Sequence, residues 1–485
     1  MPRRRVNLHD VDGAAFTDGM ATIAAEQDIP NDFPAEVLAA AHHAASDPTL
    51  PDLDRTDVPL VTIDPEDAMD LDQALHIERR GSGYRVYYAI ADVAAFVEPG
   101  GVIDEEAHRR GQTLYAPDRR IPLHPPILSE GAASLLPGEM RPALLWMIDL
   151  DEAGEGTDVD VTRARVRSRG RWDYAGVQRA LDDGTADEVF LLLRDVGRLR
   201  LRREQERGGV SLPLPEQEVD VNGDGWSLVY RQLLDVEQWN AQISLLTGMG
   251  AAEIMLYGEI GIVRTLPQPP EHAVKRLRRT AAALHLEWDP DVDYPDFVRS
   301  LEPNTPSGAA MLNACTSLLR GAGYAAFDGG VPEHVEHAAL ASEYSHVTAP
   351  LRRLVDRYAG EVAVALCADA EVPAWVRSRL RDLPKVMEDS DRRAHQFERA
   401  VINLVEAGVL ASHKGQTFTG VIVDVDHDQP TTGSVVLQEP AVEAKVVSED
   451  GKLPLGEEVR VRLVEADPRS REVRFEWPPA AEGSE

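Results

Sequence analysis

Apolar positions recur at helical spacing in "AAFTDGMATIAAEQ" (14–27) and "NDFPAEVLAAAHHAA" (31–45), so residues 1–57 are expected to form short helices. The second carries a cap-type Asn31/Asp32 pair and Pro34 in its first turn. "SDPTLPDLDRTDVP" (46–59) reads as a linker. From Pro59 the period changes to two, in "PLVTI" (59–63), "QALHIERR" (73–80) and, after the "GSG" turn, "YRVYYAIADVAAFV" (84–97), the last two resembling a hairpin. Helical windows follow at 174–184, 186–207, 237–258, 271–285 and 373–413, with strands between them. Past His413 the pattern changes again: five short β segments separated by turn residues fill 414–478, the number and size of a small OB-type barrel. The tail 479–485 is polar and expected to be disordered. The fold class expected is α+β, a mixed sheet with surrounding helices, between a helical N-terminal region and an all-β barrel.

Bulk composition narrows the class. With 485 residues, 43% hydrophobic and 27% charged, the chain is globular and long enough for about three domains. No apolar run approaches the length of a membrane span, and "MPRRRVNLHDVDG" has basic residues without a following apolar core, so a cytoplasmic protein with no membrane partner is expected. Two cysteines, Cys315 and Cys367, make neither a disulfide framework nor a zinc spacing. The net charge of −33 alone argues against a polyanionic partner, but almost every cation is an arginine, clustered at 109–120, 163–171, 198–204 and 351–357. Arginine's planar fork matches phosphate oxygens two at a time. Solvated helix faces are the alternative reading of those clusters.

Chemistry concentrates in "VTIDPEDAMDLDQAL" (61–75), five acids in fifteen positions between apolar runs. Asp70 and Asp72 are two apart, so in an extended segment both carboxylates leave one face while Met69 and Leu71 take the other. Asp64 comes back beside them if 65–68 turn. Three carboxylates together call for a cation, and a hard ion such as Mg2+ takes oxygen ligands and completes its shell with a substrate phosphate. An acidic exposed loop is the bland alternative, disfavoured by the apolar flanks. The spacing fails as an EF-hand. "DVNGDG" (220–225) imitates the opening of a calcium loop, but Arg231 stands where the bidentate Glu belongs, so a hairpin turn is expected. In "EYSHVTAPLRRLVDRY" (343–358), Thr348-Ala349-Pro350 suggests a bend before helix entry with Arg352 and Arg353 in the first turn, where donors meet an anion. With metal-holding carboxylates, such arginines would neutralise a phosphate under attack. A surface helix with weak Arg353–Asp356 pairing is the other reading. His334, His337 and His346 lack a zinc pattern, and there is no Walker loop, dinucleotide fingerprint or nucleophile elbow, so no nucleotide cofactor is expected.

Three stretches in order, "TIDPEDAMDLDQAL", the block 88–139 and "YSHVTAPLRRLVDR", resemble the ribonuclease II family of 3′-to-5′ exoribonucleases over Pro59 to His413. The C-terminal segment resembles the OB-type RNA-binding domain repeated in the largest protein of the small ribosomal subunit. The resemblance implies hydrolysis of single-stranded RNA from its 3′ end, releasing nucleoside 5′-monophosphates with Mg2+, or Mn2+ in its place. It implies metal ligation by Asp64, Asp70, Asp72 and Gln73, and catalysis by Asp70, Asp72 and Arg352. RNA contacts would come from Tyr115, which stacks a base, from Tyr174 at the terminal nucleotide, and from Arg119, Gln242, Arg352 and Arg353, with the arginine clusters lining the channel. A monomer is expected.

The chain departs from the family pattern in three places. Gln73 stands where the family usually has a fourth Asp, and an amide carbonyl ligates Mg2+ without bringing charge. Ala241 and Gln242 stand where a glutamate pair holds the 3′ nucleotide. The two cold-shock barrels that normally precede the catalytic domain do not fit in 57 residues, so the N-terminal helices are expected to form a helix-turn-helix-like unit instead. Gln73 and Gln242 keep two rivals in play, an RNA-binding protein with a degenerate nuclease site and a nuclease preferring single-stranded DNA.

Overall fold

In this computed structural model the described residues are 13–479, apart from 31, 117–118, 213–215, 223–224, 232, 304, 438–439 and 450. After helices α1 (Gly13–Glu26) and α2 (Ala35–Ser46), a short strand β1 (Thr62–Asp64) delivers the acidic segment. The hairpin β2 (Gln73–Arg80) and β3 (Gly83–Ala91) turns through Gly81, whose φ of 61° a side-chain-bearing residue rarely adopts. Helix α3 (Val102–Arg110) and a two-residue hairpin, β4 (Leu114–Tyr115) and β5 (Arg120–Ile121), follow. Strands β6 (Met140–Leu150) and β7 (Gly156–Arg167) then complete an antiparallel sheet of order β2-β3-β6-β7, and β8 (Arg171–Asp173) pairs in parallel with β1.

The sheet is buried on both faces, which is why β3 reads as a nearly unbroken apolar run rather than an alternation. One face, carrying Tyr88 and Trp146 opposite each other, packs against α5 (Glu188–Arg207), α6 (Asp235–Tyr257) and α10 (Leu354–Cys367), with α4 (Tyr174–Asp182) beside them. The other face, with Tyr87, Ala89 and Leu145, packs against α2 and residues 128–136. Strands β9 (Glu216–Asn222) and β10 (Gly225–Arg231) form the expected hairpin around "DVNGDG", although its turn, 223–224, lies outside the described residues. A second two-stranded unit, β11 (Ile260–Thr265) with β12 (Gly323–Asp328), brackets a helical insert of α7 (Glu271–Ala283), α8 (Tyr294–Arg299) and α9 (Pro306–Cys315), and the bridge β13 (Glu336–His337) to β14 (Ser342–Glu343) leads into the arginine motif. The predicted 373–413 helix is split into α11 (Ala374–Leu380) and α12 (Leu383–Leu410). Strands β15 (Thr417–Val425), β16 (Thr432–Leu437), β17 (Val442–Ser448), β18 (Glu458–Asp467) and β19 (Glu472–Trp477) close into a barrel, order β15-β16-β17-β19-β18. Among the described residues no helix is long and apolar enough to cross a membrane.

Two N-terminal expectations are corrected. Helix α1 buries Phe16, Met20 and Ile23 with α12 and the barrel, whereas α2 buries Val37 and Ala41 beneath the β2-β3-β6-β7 sheet, so the pair does not form a helix-turn-helix-like unit. Pro34 occupies the N-cap of α2 without a side-chain cap bond from Asp32; Asn31 lies outside the described residues. Arg110 anchors this region instead, donating to the carbonyls of Pro30 and Asp32 with its guanidinium 3.8 Å from the Phe33 ring centre.

The arginine motif is fixed from behind. Gly248 of α6 lies so close to the chain entering the motif that a Cβ there would collide with the Tyr344 ring and stand 2.6 Å from the Ser345 carbonyl, while the Ser345 N–H donates to the Gly248 carbonyl. Tyr324 on β12 hydrogen-bonds His346 Nδ1 at 2.7 Å. His124, 2% exposed, lies under Pro350. Burial pushes His124 down to about 3 and His346 well below the usual histidine range, so both are neutral in the fold.

Gly248→Ala is therefore expected to destabilise the fold by about 1–3 kcal/mol through overpacking; an unchanged melting temperature would contradict the close contact. The histidines give a second expectation. Their folded pKa lies below the unfolded value, so their contribution is complete above ~6.5 and is lost as pH falls through it, at about 1.4 kcal/mol per pH unit for each group. Denaturant unfolding at pH 7.5, 6.5 and 5.5 should show falling stability, with His124→Asn flattening part of the slope; a flat profile would contradict the buried neutral histidines.

Candidate active site

The acidic segment is hung on a single serine. Ser134 Oγ donates to the Met69 carbonyl and accepts from the Leu71 N–H, while Leu135 N–H donates to the Leu71 carbonyl. Leu71 is fully buried, Met69 is exposed, and Asp72 is driven inward to 2% exposure. There its Oδ1 accepts the Leu351 N–H at 2.8 Å and its Oδ2 lies 3.5 Å from Arg352 Nε. Burial raises the Asp72 carboxyl well above the usual range; Arg352 and the Leu351 N–H oppose the shift, and the charges of Asp70 and Asp356 add to it. Next along the chain, the Gln73 amide donates to the Thr348 carbonyl. An aspartate at position 73 has no donor for that bond. Gln73 is thus a second tie between the acidic and arginine motifs.

The remaining predicted residues gather around this link. Asp64, at the end of β1, is in register with Asp173, whose carboxylate caps α4 by accepting the Gly176 N–H at 2.7 Å. Tyr174 opens that helix, and its hydroxyl accepts from Asn240 at 3.3 Å. Burial pushes the Tyr174 phenol up to about 12, reinforced by the Asp64 charge. Tyr88, bonded to Ser244 at 2.8 Å, is raised by burial and also senses Asp64 and Asp72. Tyr115 is raised by burial and senses Arg352, Asp70, Asp72 and Arg120. Three carboxylates, two arginines and three tyrosines therefore share one electrostatic neighbourhood, drawn from β1, the segment before β2, β3, β4–β5, α4 and the loop before α10.

Several expectations do not hold. Helix α10 begins at Leu354, so Arg352 precedes it and Arg353 is its extended N-cap residue (φ −145°), not part of a first turn. Arg353 makes a two-pronged bond to Asp356, at 2.5 and 2.8 Å, and Asp356 also accepts the Ala349 N–H. This guanidinium braces the loop through Nε and Nη2. Arg352, by contrast, keeps 39% of its side chain exposed. Gln242 is buried on α6 and donates to Glu204 of α5 at 2.6 Å, because its side of α6 faces α5. Arg119 is exposed at the β4–β5 hairpin, whose turn at 117–118 lies outside the described residues. The arginine clusters are largely structural: Arg163 binds Asp92 and Glu361, and Arg357 binds Asp104 and the Val97 carbonyl. Sequence reading missed Arg120, whose Nη1 lies 2.7 Å from Asp70 Oδ1 and whose Nη2 donates to the Asp67 carbonyl. It also missed Asn240, Tyr88 and the Leu351 N–H; a backbone donor leaves no mark on composition.

A divalent cation would suit this donor set in kind, since every candidate atom is an oxygen and Asp72 is buried beside another carboxylate. Among the described residues, however, no three His, Cys, Asp or Glu side chains converge on one point, because Asp70 turns to Arg120 and Asp72 to Leu351 and Arg352.

Comparison with known proteins places this geometry. The RNB domain model matches residues 53–364, and the model of the RNase II-type exonuclease C-terminal S1 domain matches 416–477. Ribonuclease R of Escherichia coli is 29% identical over 401 residues, 77% of this chain and 48% of its own length, so the chain spans about half of that relative. Among solved structures, Mycoplasma genitalium RNase R in complex with ribose-methylated single-stranded RNA superposes with a TM-score of 0.85 at 19% identity, covering 96% of this chain and 78% of the other. Yeast Ssd1, a pseudonuclease, superposes with a TM-score of 0.69 at 15% identity, covering 89% and 55%. With residues 53–364, more than half of the chain, matched by the one model and the barrel matched separately by the other, the chain belongs to the RNB-domain family, joined to an RNase II-type C-terminal S1 domain.

Proposed function

We propose that the chain hydrolyses single-stranded RNA from the 3′ end and releases nucleoside 5′-monophosphates. The observation that carries this reading is the buried Asp72 joined to the Leu351 N–H and Arg352, which brings an acidic and a cationic motif together beside Tyr115 and Tyr174. Asp64, Asp70 and Asp72, with the Gln73 carbonyl, would hold magnesium or manganese once Asp70 leaves Arg120. A bound divalent ion supplies an activated water and offsets charge on the phosphate.

The protein groups divide the remaining work. Arg352, partly exposed and held by Asp72, faces the phosphate and stabilises the charge that grows on its oxygens. Asp72 keeps that guanidinium aimed, and the Leu351 N–H keeps Asp72 placed. Tyr115 offers a ring to a base without reading its identity, and Tyr174, steadied by Asn240, borders the terminal nucleotide. The closed five-stranded barrel, matched to an S1 domain, would guide the strand towards the site.

Purified protein with 5′-labelled single-stranded RNA and Mg2+ should yield a ladder shortening from the 3′ end, with monophosphates as product. Arg352→Ala should slow release by about 10²–10³-fold, and Asp72→Asn should slow it further, to a small residual rate, while RNA binding persists. Tight binding without any monophosphate release would identify an RNA-binding protein with a degenerate site. Equal or faster digestion of the matched DNA would overturn the preference for RNA.

A further inference from the structure

Arg120 is the residue at this site that neither the resemblance nor the acidic pattern assigns. It sits directly across the β4–β5 ladder from Tyr115, on a two-residue strand. Its guanidinium spans the acidic turn: Nη1 lies 2.7 Å from Asp70 Oδ1, and Nη2 lies 3.0 Å from the Asp67 carbonyl and 3.3 Å from Asp67 Oδ2. Both members of the Asp70 pair are shielded, with side chains 19% and 13% exposed, so the pair is neither a solvated surface contact nor a sealed core bridge. Arg120 and Arg352 both bear on the Tyr115 phenol, together with Asp70 and Asp72. A second cation therefore stands at the acidic cluster, on the residue that would have to turn for three carboxylates to converge.

We propose that Arg120 is a resident counter-cation for Asp70: it holds this carboxylate while no divalent ion is bound, and on loading it is released to an RNA phosphate. The proposal rests on the reading of Asp64, Asp70 and Asp72 as the metal site and of the surrounding cleft as the RNA site. The physical basis is competition. With Arg120 held 2.7 Å from Asp70 Oδ1, an arriving divalent ion meets a cation already on this carboxylate, so metal uptake competes electrostatically with the pair, and the apparent metal affinity is reduced by the fraction of molecules in which it is closed. A freed guanidinium on the hairpin that carries Tyr115 is placed for the phosphate of a stacked nucleotide, to which its fork is suited. Because whatever binds the released Arg120 favours the open Asp70, RNA and metal raise one another's affinity, and the two effects are equal by linkage.

The test reads metal binding without cleavage. Manganese uptake by the full chain, followed by electron paramagnetic resonance of free Mn2+ in the absence of RNA, should be about tenfold tighter for Arg120→Ala than for wild type, the effect of removing a competitor worth roughly 1.4 kcal/mol. Arg120→Lys, which keeps a charge near Asp70, should remain close to wild type. With a cleavage-resistant phosphorothioate RNA followed by fluorescence anisotropy, Mn2+ should tighten binding to wild type and do so much less for Arg120→Ala. Circular dichroism melts confirm that both variants are folded. Equal or weaker Mn2+ uptake by a folded Arg120→Ala protein overturns the proposal while leaving the nuclease reading intact, since it makes Arg120 a brace for the 67–70 turn. Absence of Mn2+ uptake in every variant, together with absence of monophosphate release, overturns the site reading and this proposal with it.

Discussion

A buried carboxylate joins motifs 279 residues apart: Asp72 Oδ1 on the Leu351 N–H, with Arg352 alongside. Burying an aspartate is costly unless its charge is matched, and here the match comes from a peptide N–H and a half-exposed guanidinium. The bargain is incomplete, because burial and neighbouring carboxylates still hold the group well above its usual range. Such incompleteness suits a place built to receive more positive charge. Much of the surrounding architecture serves this contact: Ser134 sets the height of the acidic segment, Gln73 ties its end to Thr348, and Asp356 ties Ala349 and Arg353 together on either side of the partly exposed Arg352.

The division of labour among arginines follows from the same constraint. In a chain with a net charge of −33 and almost no lysine, arginine carries both structural and functional roles. Arg110 and Arg357 sit against backbone carbonyls and buried acids, Arg163 bridges Asp92 and Glu361, and Arg353 is locked to Asp356. Two arginines beside the acidic segment, Arg352 and Arg120, differ in anchorage: Arg352 has its backbone carbonyl held by the Thr113 N–H, while Arg120 rides on a two-residue strand.

Period and turn chemistry made most of the elements legible: β2 with the turn after it, α4 to α6 and the five barrel strands all lie where apolar spacing puts them. The acidic and arginine segments were legible as stretches of concentrated charge, and the structure joins them through Asp72 and Arg352. What sequence could not tell was partnership. "LRRLVDR" left two readings open, a pair of anion-binding arginines or an Arg353–Asp356 pair, and one residue of register divides them: Arg352 stays partly exposed beside Asp72 and Arg353 pairs with Asp356. Gln242 looked like a contact residue, but the side of α6 it occupies is fixed by packing against α5. The N-terminal helices were found but not their destinations, since α1 and α2 attach to different cores through residues whose spacing is equally helical.

If the Asp72–Arg352 link is what makes one site of two motifs, the two residues must act as a unit in the reaction. A double-mutant cycle on monophosphate release, comparing Asp72→Asn, Arg352→Ala and the double variant with wild type, measures that directly. Strong coupling, with the double variant scarcely slower than the slower single variant, is the predicted result. Independent losses that multiply in the double variant would contradict it.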